Sequence, residues 1–192
     1  QNGEFLGALV ALVSTSQLSR FVERLDTGLA ADAAAFNATQ DATRWSVIAQ
    51  QTLFSPRHYP SGTVTTDNWD GYPEARARLI AALANHQTAN PVILGGDIHQ
   101  NWVTHVHRDV DDVGSPVVAP EFCATSITTP SFGRFTAAEM KALAPHCLYA
   151  DRHQRGYLLA TVTLQKLTVH VRHVDLASNV VKTSASFEVV AG

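Results

Sequence analysis

Near its C-terminus the chain alternates residue by residue. Val181, Thr183, Ala185, Phe187 and Val189 share one parity, and Lys182, Ser184, Ser186 and Glu188 the other. Period two marks a strand with one face turned inward. The pattern predicts a strand over 180–190, preceded by two more over 157–164 and 167–174. Together they form an antiparallel meander with turns at 165–166 and 176–179. Upstream the period lengthens. Ala75, Leu79, Ala82 and Leu83 form a helical stripe behind Pro73, with Arg76 and Arg78 outward. Leu18, Phe21, Val22, Leu25 and Leu29 form a second stripe behind the capping residues Ser14, Thr15 and Ser16. Apolar, β-branched runs predict buried strands over 45–54 and 92–94. Further strands are expected over 103–110, with His105 and His107 exposed along it, and from 117 into a polar turn at 121–126. Residues 136–143 predict a helix. Residues 5–13 read as a buried strand or short helix, and 30–43 as a helical extension or surface loop with the sequon Asn37-Ala38-Thr39. The shift from helix–strand alternation to period-two strands near Arg155 predicts one mixed α/β (α+β) sandwich over 1–192.

Chemistry concentrates where the 92–94 run stops at Gly95-Gly96. Asp97, His99 and Asn101 follow at alternate positions. If extended backbone persists past the glycines, these three share a face. A carboxylate and an imidazole delivered off a strand end are donors suited to a hard or borderline metal ion. The plainer reading is a glycine turn with Asp97 capping a local N–H.

Composition narrows the field. A charge of −3, spread without long blocks, argues against a nucleic-acid platform or a membrane-surface binder. Nine histidines raise the expectation of metal or acid–base chemistry. Cys123 and Cys147 do not form a CxxC pair and are left as either a disulfide or two buried thiols. No apolar run reaches membrane-span length, and Glu4 replaces the basic region a signal peptide needs. A start at Gln1 rather than Met suggests a processed product or a piece of a longer chain.

Five blocks carry a resemblance: WSVIAQQTLF, TDNWDGYPEARARLI, NPVILGGDIHQNW, EFCATSIT and RGYLLATVT. In this order and spacing they resemble the PhoD-like alkaline phosphatases, specifically the C-terminal part of the metallophosphatase domain. The match runs from Trp45 to the C-terminus, with 1–44 poorly matched. The resemblance implies a calcineurin-like fold of two stacked mixed sheets with helices outside. It implies hydrolysis of phosphate mono- and diesters by a metal-activated hydroxide, with iron and calcium as the metals, outside the cytoplasm. Asp97 and His99 match the GD-x-H motif at the metal and phosphate site and carry the catalytic and metal-binding expectation. Asn101 belongs to the block just after it and is a candidate substrate contact. Asp67, Trp69, Asp70, Gly71 and Tyr72 match a WDGY block, read mainly as architecture at the site rim. Arg155 is a candidate phosphate contact, since a guanidinium binds phosphate in bidentate fashion. A structural ion pair is the other reading.

The resemblance implies further D-x-H, GD and GNH blocks in an N-terminal half. Asp97-Ile98-His99 is taken here as the chain's D-x-H, and there is no Gly-Asn-His. Two functions therefore stand. One is the C-terminal portion of a phosphoesterase, completed by a missing N-terminal half. The other is a non-catalytic metal- or phosphate-binding module that retains the fold's second half.

Overall fold

A computed structural model describes residues 44–85, 88–131 and 135–192. The expected helix at 18–29, its extension, the sequon and the run at 5–13 lie outside them. The described elements are β1 (Ser46–Ala49), a 3-10 turn (Trp69–Gly71), α1 (Pro73–Asn85), β2 (Pro91–Gly95), β3 (Asn101–His107), β4 (Val117–Cys123), α2 (Ala137–Leu143), β5 (Cys147–Asp151), β6 (Gly156–Val162), β7 (Lys166–Asp175) and β8 (Val180–Val190).

Two sheets result. Five strands run in the order β1-β2-β4-β3-β5, and three in the order β6-β7-β8. β1, β2 and β4 are parallel, while β3 runs antiparallel to both β4 and β5. The three-stranded sheet is antiparallel among the described residues, and the two sheets make the sandwich that the family resemblance implied.

Side-chain parity explains the layering. Val92 and Leu94 of β2 join Val103 and Phe122 against Ala160, Leu167 and Val169 of the three-stranded sheet. Ile93, of opposite parity, faces the other way and packs with Val106, Ala119, Phe54, Trp69, Ala75 and Ile80. The order of layers is therefore sheet, sheet, helix α1. A strand buried on both faces must read as a continuous apolar run, as residues 92–94 do. Each such Val, Leu or Ile contributes about 1.5–3 kcal/mol on full burial. A third cluster places Met140 of α2 over Trp102, Cys123 and Cys147. α2 starts with a full capping box between Thr136 and Glu139.

Several expectations need correction. The strand at 45–54 is confined to Ser46–Ala49, because the chain leaves the sheet at Gln50 to satisfy side-chain bonds described below. Arg76 is buried, not outward, and its Nη1 pairs with Asp70 Oδ1 at 2.9 Å. His107 is buried and His105 half-buried, so neither is the exposed strand histidine expected. β5 went unpredicted, as CLYAD is short and does not alternate cleanly. Cys123 and Cys147 are free, buried thiols. No helix among the described residues is long and apolar enough to cross a membrane.

Gly95 closes β2 because nothing larger fits. A Cβ there would overlap the Thr52 carbonyl oxygen, whereas one at Gly96 would meet nothing closer than 3.8 Å. Gly95→Ala should therefore cost about 1–3 kcal/mol through backbone displacement, and Gly96→Ala much less. Urea unfolding of the two variants side by side checks this; equal midpoints would contradict it.

Candidate active site at the carboxyl end of β2

Because β1, β2 and β4 are parallel, their carboxyl ends open on one edge of the sheet, the usual place for a site in α/β folds. Three segments meet there: the chain after β1, the GD-x-H loop after β2, and the turn after β4. The Ala124 N–H donates to the Gly95 carbonyl at 2.9 Å, and the Cys123 thiol to the Gly96 carbonyl at 3.3 Å.

The loop does not continue as a strand. Asp97 has φ +66° and His99 φ +55°, and the Ile98 N–H turns back to the Gly96 carbonyl at 2.8 Å. The shared face expected from strand alternation is therefore replaced by two left-handed residues flanking Ile98. Among the described residues only two other non-glycines have positive φ, Asn90 and Asn179. Asn90 immediately precedes β2, and Asn179 lies in the β7–β8 turn. Left-handed backbone costs about 1–3 kcal/mol at a non-glycine residue and concentrates where geometry serves function. Asp and His tolerate it better than most residues.

Charge converges at the same point. Partial burial raises the Asp97 carboxyl above the usual carboxylate range, His99 opposes the rise, and Asp67 adds to it. Asp67 precedes the Trp69–Gly71 turn, so the WDGY block lies within electrostatic range of the GD-x-H loop. Two carboxylates and one imidazole in mutual range favour an incoming cation, which would relieve the repulsion between the acids.

The WDGY turn is anchored from below. Trp69 is fully buried, lies edge-on to Phe54 at 4.9 Å between ring centroids, and donates its indole N–H to Gln50 Oε1 at 3.0 Å. Gln50 also accepts from the Thr52 N–H at 3.1 Å and donates to the Thr52 carbonyl. Asn68 Oδ1 caps the Asp70 N–H at 2.9 Å. Gly71 is required, since a Cβ there would come within 2.7 Å of Thr66 Cα.

Asn101 is buried, and its Oδ1 accepts from the Thr125 N–H at 3.1 Å, fastening the turn after β4 to the start of β3. Arg155 sits at the foot of β6, half-buried. The neighbouring Gly156 N–H donates to the Ser126 carbonyl at 3.1 Å, which brings the RGY block to the same edge. Arg155 is not among the charges acting on Asp97. The structure thus brings Asp97 within electrostatic range of His99 and Asp67, buries Asn101 under the turn after β4, and ties the Arg155 block to that turn only through Gly156.

Two features lie outside the motifs of the sequence. The chain holds a second D-x-H, Asp151-Arg152-His153, and Asp151 lies directly opposite Asn101 in the β3–β5 register. Its spacing was legible, but only strand pairing places it at this edge. Asp151 Oδ1 is occupied by the His153 and Gln154 N–H groups at 3.0 and 2.7 Å. The second feature is Glu121, fully buried on β4. Its oxygens accept from the Phe54 N–H at 2.6 Å, the Ser55 N–H at 2.9 Å and the Thr104 hydroxyl at 3.1 Å. It ties the segment after β1 to β4, and nothing in the EFCATSIT string marks it as more than a polar strand residue. Burial pushes the Glu121 carboxyl up, and the Cys147 thiol up to about 12. That thiol stays protonated at neutral pH.

Comparison with known proteins agrees with this fold. The sequence profile of the PhoD-like phosphatases matches residues 27–171. The chain belongs to the PhoD-like phosphatase family. It is 30% identical over 160 residues to alkaline phosphatase D of Bacillus subtilis, a match covering 79% of this chain and 27% of that protein. A solved structure titled "Structure of PhoD" superposes with a TM-score of 0.71 at 25% identity, covering 96% of this chain and 36% of the other. The chain thus spans roughly a third or less of these relatives' length.

PhoD-like phosphatases are metal-dependent, and the donor chemistry at Asp97 and His99 suits an ion. The donor number does not suffice: among the described residues no three His, Cys, Asp or Glu side chains are placed to hold one. Asp97 and His99 would supply at most part of a coordination shell.

Proposed function

We propose that this chain carries the GD-x-H portion of a metal-dependent phosphoesterase acting on phosphate mono- and diesters outside the cytoplasm, with iron and calcium as its metals. The observation that carries the reading is the left-handed pair Asp97 and His99, held at the carboxyl end of β2 with Asp67 within electrostatic range of Asp97, in a chain of this family. A bound ion would supply an acidified water and charge stabilisation at phosphoryl oxygens. In this reading Asp97 binds the ion, and His99 binds it or steadies the phosphate. Arg155 contacts phosphate oxygens from the rim, and Asn101 keeps the turn after β4 in place for the substrate.

One observation favours a second reading, a non-catalytic metal- or phosphate-binding module: among the described residues the donors stop short of a complete site. Turnover of a chromogenic phosphodiester, with and without iron and calcium, separates the two. On the enzyme reading, the longer protein containing this chain turns over robustly. The 192-residue chain alone is slower by orders of magnitude, because a partial shell loses electrostatic preorganisation. Bound metal without turnover in the longer protein would favour the module.

A further inference from the structure

Behind the WDGY turn, Phe54, Ser55, Pro56, Val106 and Val110 together with Arg76, His105, His107 and His146 line a narrow, partly open cavity that has no room for a water molecule. No carboxylate lines it. His105 and His107 lie two apart on β3 with ring centroids 6.2 Å apart. His146 arrives from the neighbouring strand connection, its carbonyl accepting the His105 N–H at 3.1 Å. His107 Nδ1 lies 2.8 Å from the Ser115 carbonyl, an acceptor only, so Nδ1 carries the proton. His146 is 6% exposed, and its Nε2 is buried without a hydrogen-bond partner. The three imidazoles do not converge into a metal site in this conformation.

Arg76 connects the cavity to the candidate active site. Its guanidinium lines the cavity while bonding Asp70 Oδ1 at 2.9 Å and the Phe54 carbonyl at 3.4 Å. Asp70 belongs to the Trp69–Gly71 turn, just past Asp67. The other charges around the cavity are already engaged. His58 is paired with Asp111 at 3.7 Å, Arg57 stacks on Tyr59, Arg108 bonds Asn85, and Glu121 is saturated by Ser55, Phe54 and Thr104. Asp109 and Asp112 cap N–H groups within their own loop.

We infer that this histidine cavity is an acid-sensitive latch on the WDGY turn: proton uptake by imidazoles that share it with Arg76, and with no acid, drives Arg76 out and releases Asp70 and the turn. Its consequence for Asp67 and Asp97 rests on the functional reading above; the latch itself does not.

The sign follows from burial. Desolvation, then the neighbouring His107, His58, Arg76 and His105, hold His146 down from 6.5 to about 4. The closed state therefore excludes a proton that the open state binds at ordinary pKa. Stability of the closed state is intact above about pH 6.5 and is lost progressively as pH falls toward 4. One such proton favours opening by roughly thirtyfold at pH 5.

Amide hydrogen exchange on the whole chain, corrected for intrinsic rates, tests this without reference to activity. The Gly71 and Tyr72 amides, which bond Asn68 and Trp69 carbonyls, should open roughly thirtyfold more at pH 5 than at pH 7.5. His146→Leu, an apolar side chain of similar bulk, should reduce the ratio below about threefold, and His153→Leu should leave it intact. An unchanged pH dependence in His146→Leu, or opening at β5 while the turn stays closed, overturns the latch. Should that variant not fold, an NMR titration of wild-type His146 decides: a midpoint near 6.5 with the turn closed overturns it equally.

Discussion

Replacing Asp97 by Asn in the full-length protein is expected to lower phosphoester turnover at least about a hundredfold, the scale on which loss of one preorganised electrostatic group is felt, and to lower bound metal with it. Asparagine matches aspartate in shape and accepts φ +66° at least as readily, so the loop should keep its turn and lose only the charge. Stability should stay level or rise slightly. The sign comes from the raised Asp97 carboxyl: burial and Asp67 make its negative form costly in the fold, a cost present at neutral pH and absent once the group is protonated. An amide removes that cost. Activity falling while stability holds is the behaviour of a group kept for function. Metal content and turnover both within threefold of wild type would mean that Asp97 only shapes a turn.

Glu121→Ala should be the most destabilising single change, about 3 kcal/mol or more in urea unfolding. The substitution strands the Phe54 and Ser55 N–H groups, removes the acceptor of the Thr104 hydroxyl and opens a void in a fully buried place. Glu121→Gln keeps the shape but turns an amide N–H toward a backbone N–H, so a smaller loss of about 1–2 kcal/mol is expected. If alanine and glutamine cost the same, packing rather than hydrogen bonding secures this junction. Because Glu121 holds the segment that leads through Gln50 to Trp69, Glu121→Ala should also loosen the WDGY turn. Faster exchange at Tyr72 would show it.

Much of the fold was legible because its strands write their surroundings into the sequence. Residues 92–94 are buried on both faces and read as an unbroken apolar run. β8 is the edge of an antiparallel sheet and alternates with solvent. α1 announced itself through Pro73 and an apolar stripe, but Arg76 broke the rule. A buried guanidinium looks like any surface arginine until Asp70 and the Phe54 carbonyl are brought to it by a turn of the chain. β5 stayed hidden because a five-residue strand whose burial follows α2 and β3 has no clean period of its own.

The sequence by itself determined the family, the sandwich of sheets and the candidate donors in GD-x-H, since these depend on residue type and local spacing. It implied a shared strand face for Asp97 and His99, and tertiary structure replaced that with a left-handed turn. The Thr52 carbonyl excludes a side chain at Gly95, so the chain must turn where β2 meets the segment after β1. Tertiary structure alone set Asp67 within electrostatic range of Asp97, set Asp151 opposite Asn101, buried Glu121 under the Phe54 and Ser55 amides, and buried His146 beside the narrow cavity that Arg76 also lines. Each of these joins residues from separate elements, and only the packing of those elements decides whether a polar side chain meets water, a partner or another charge.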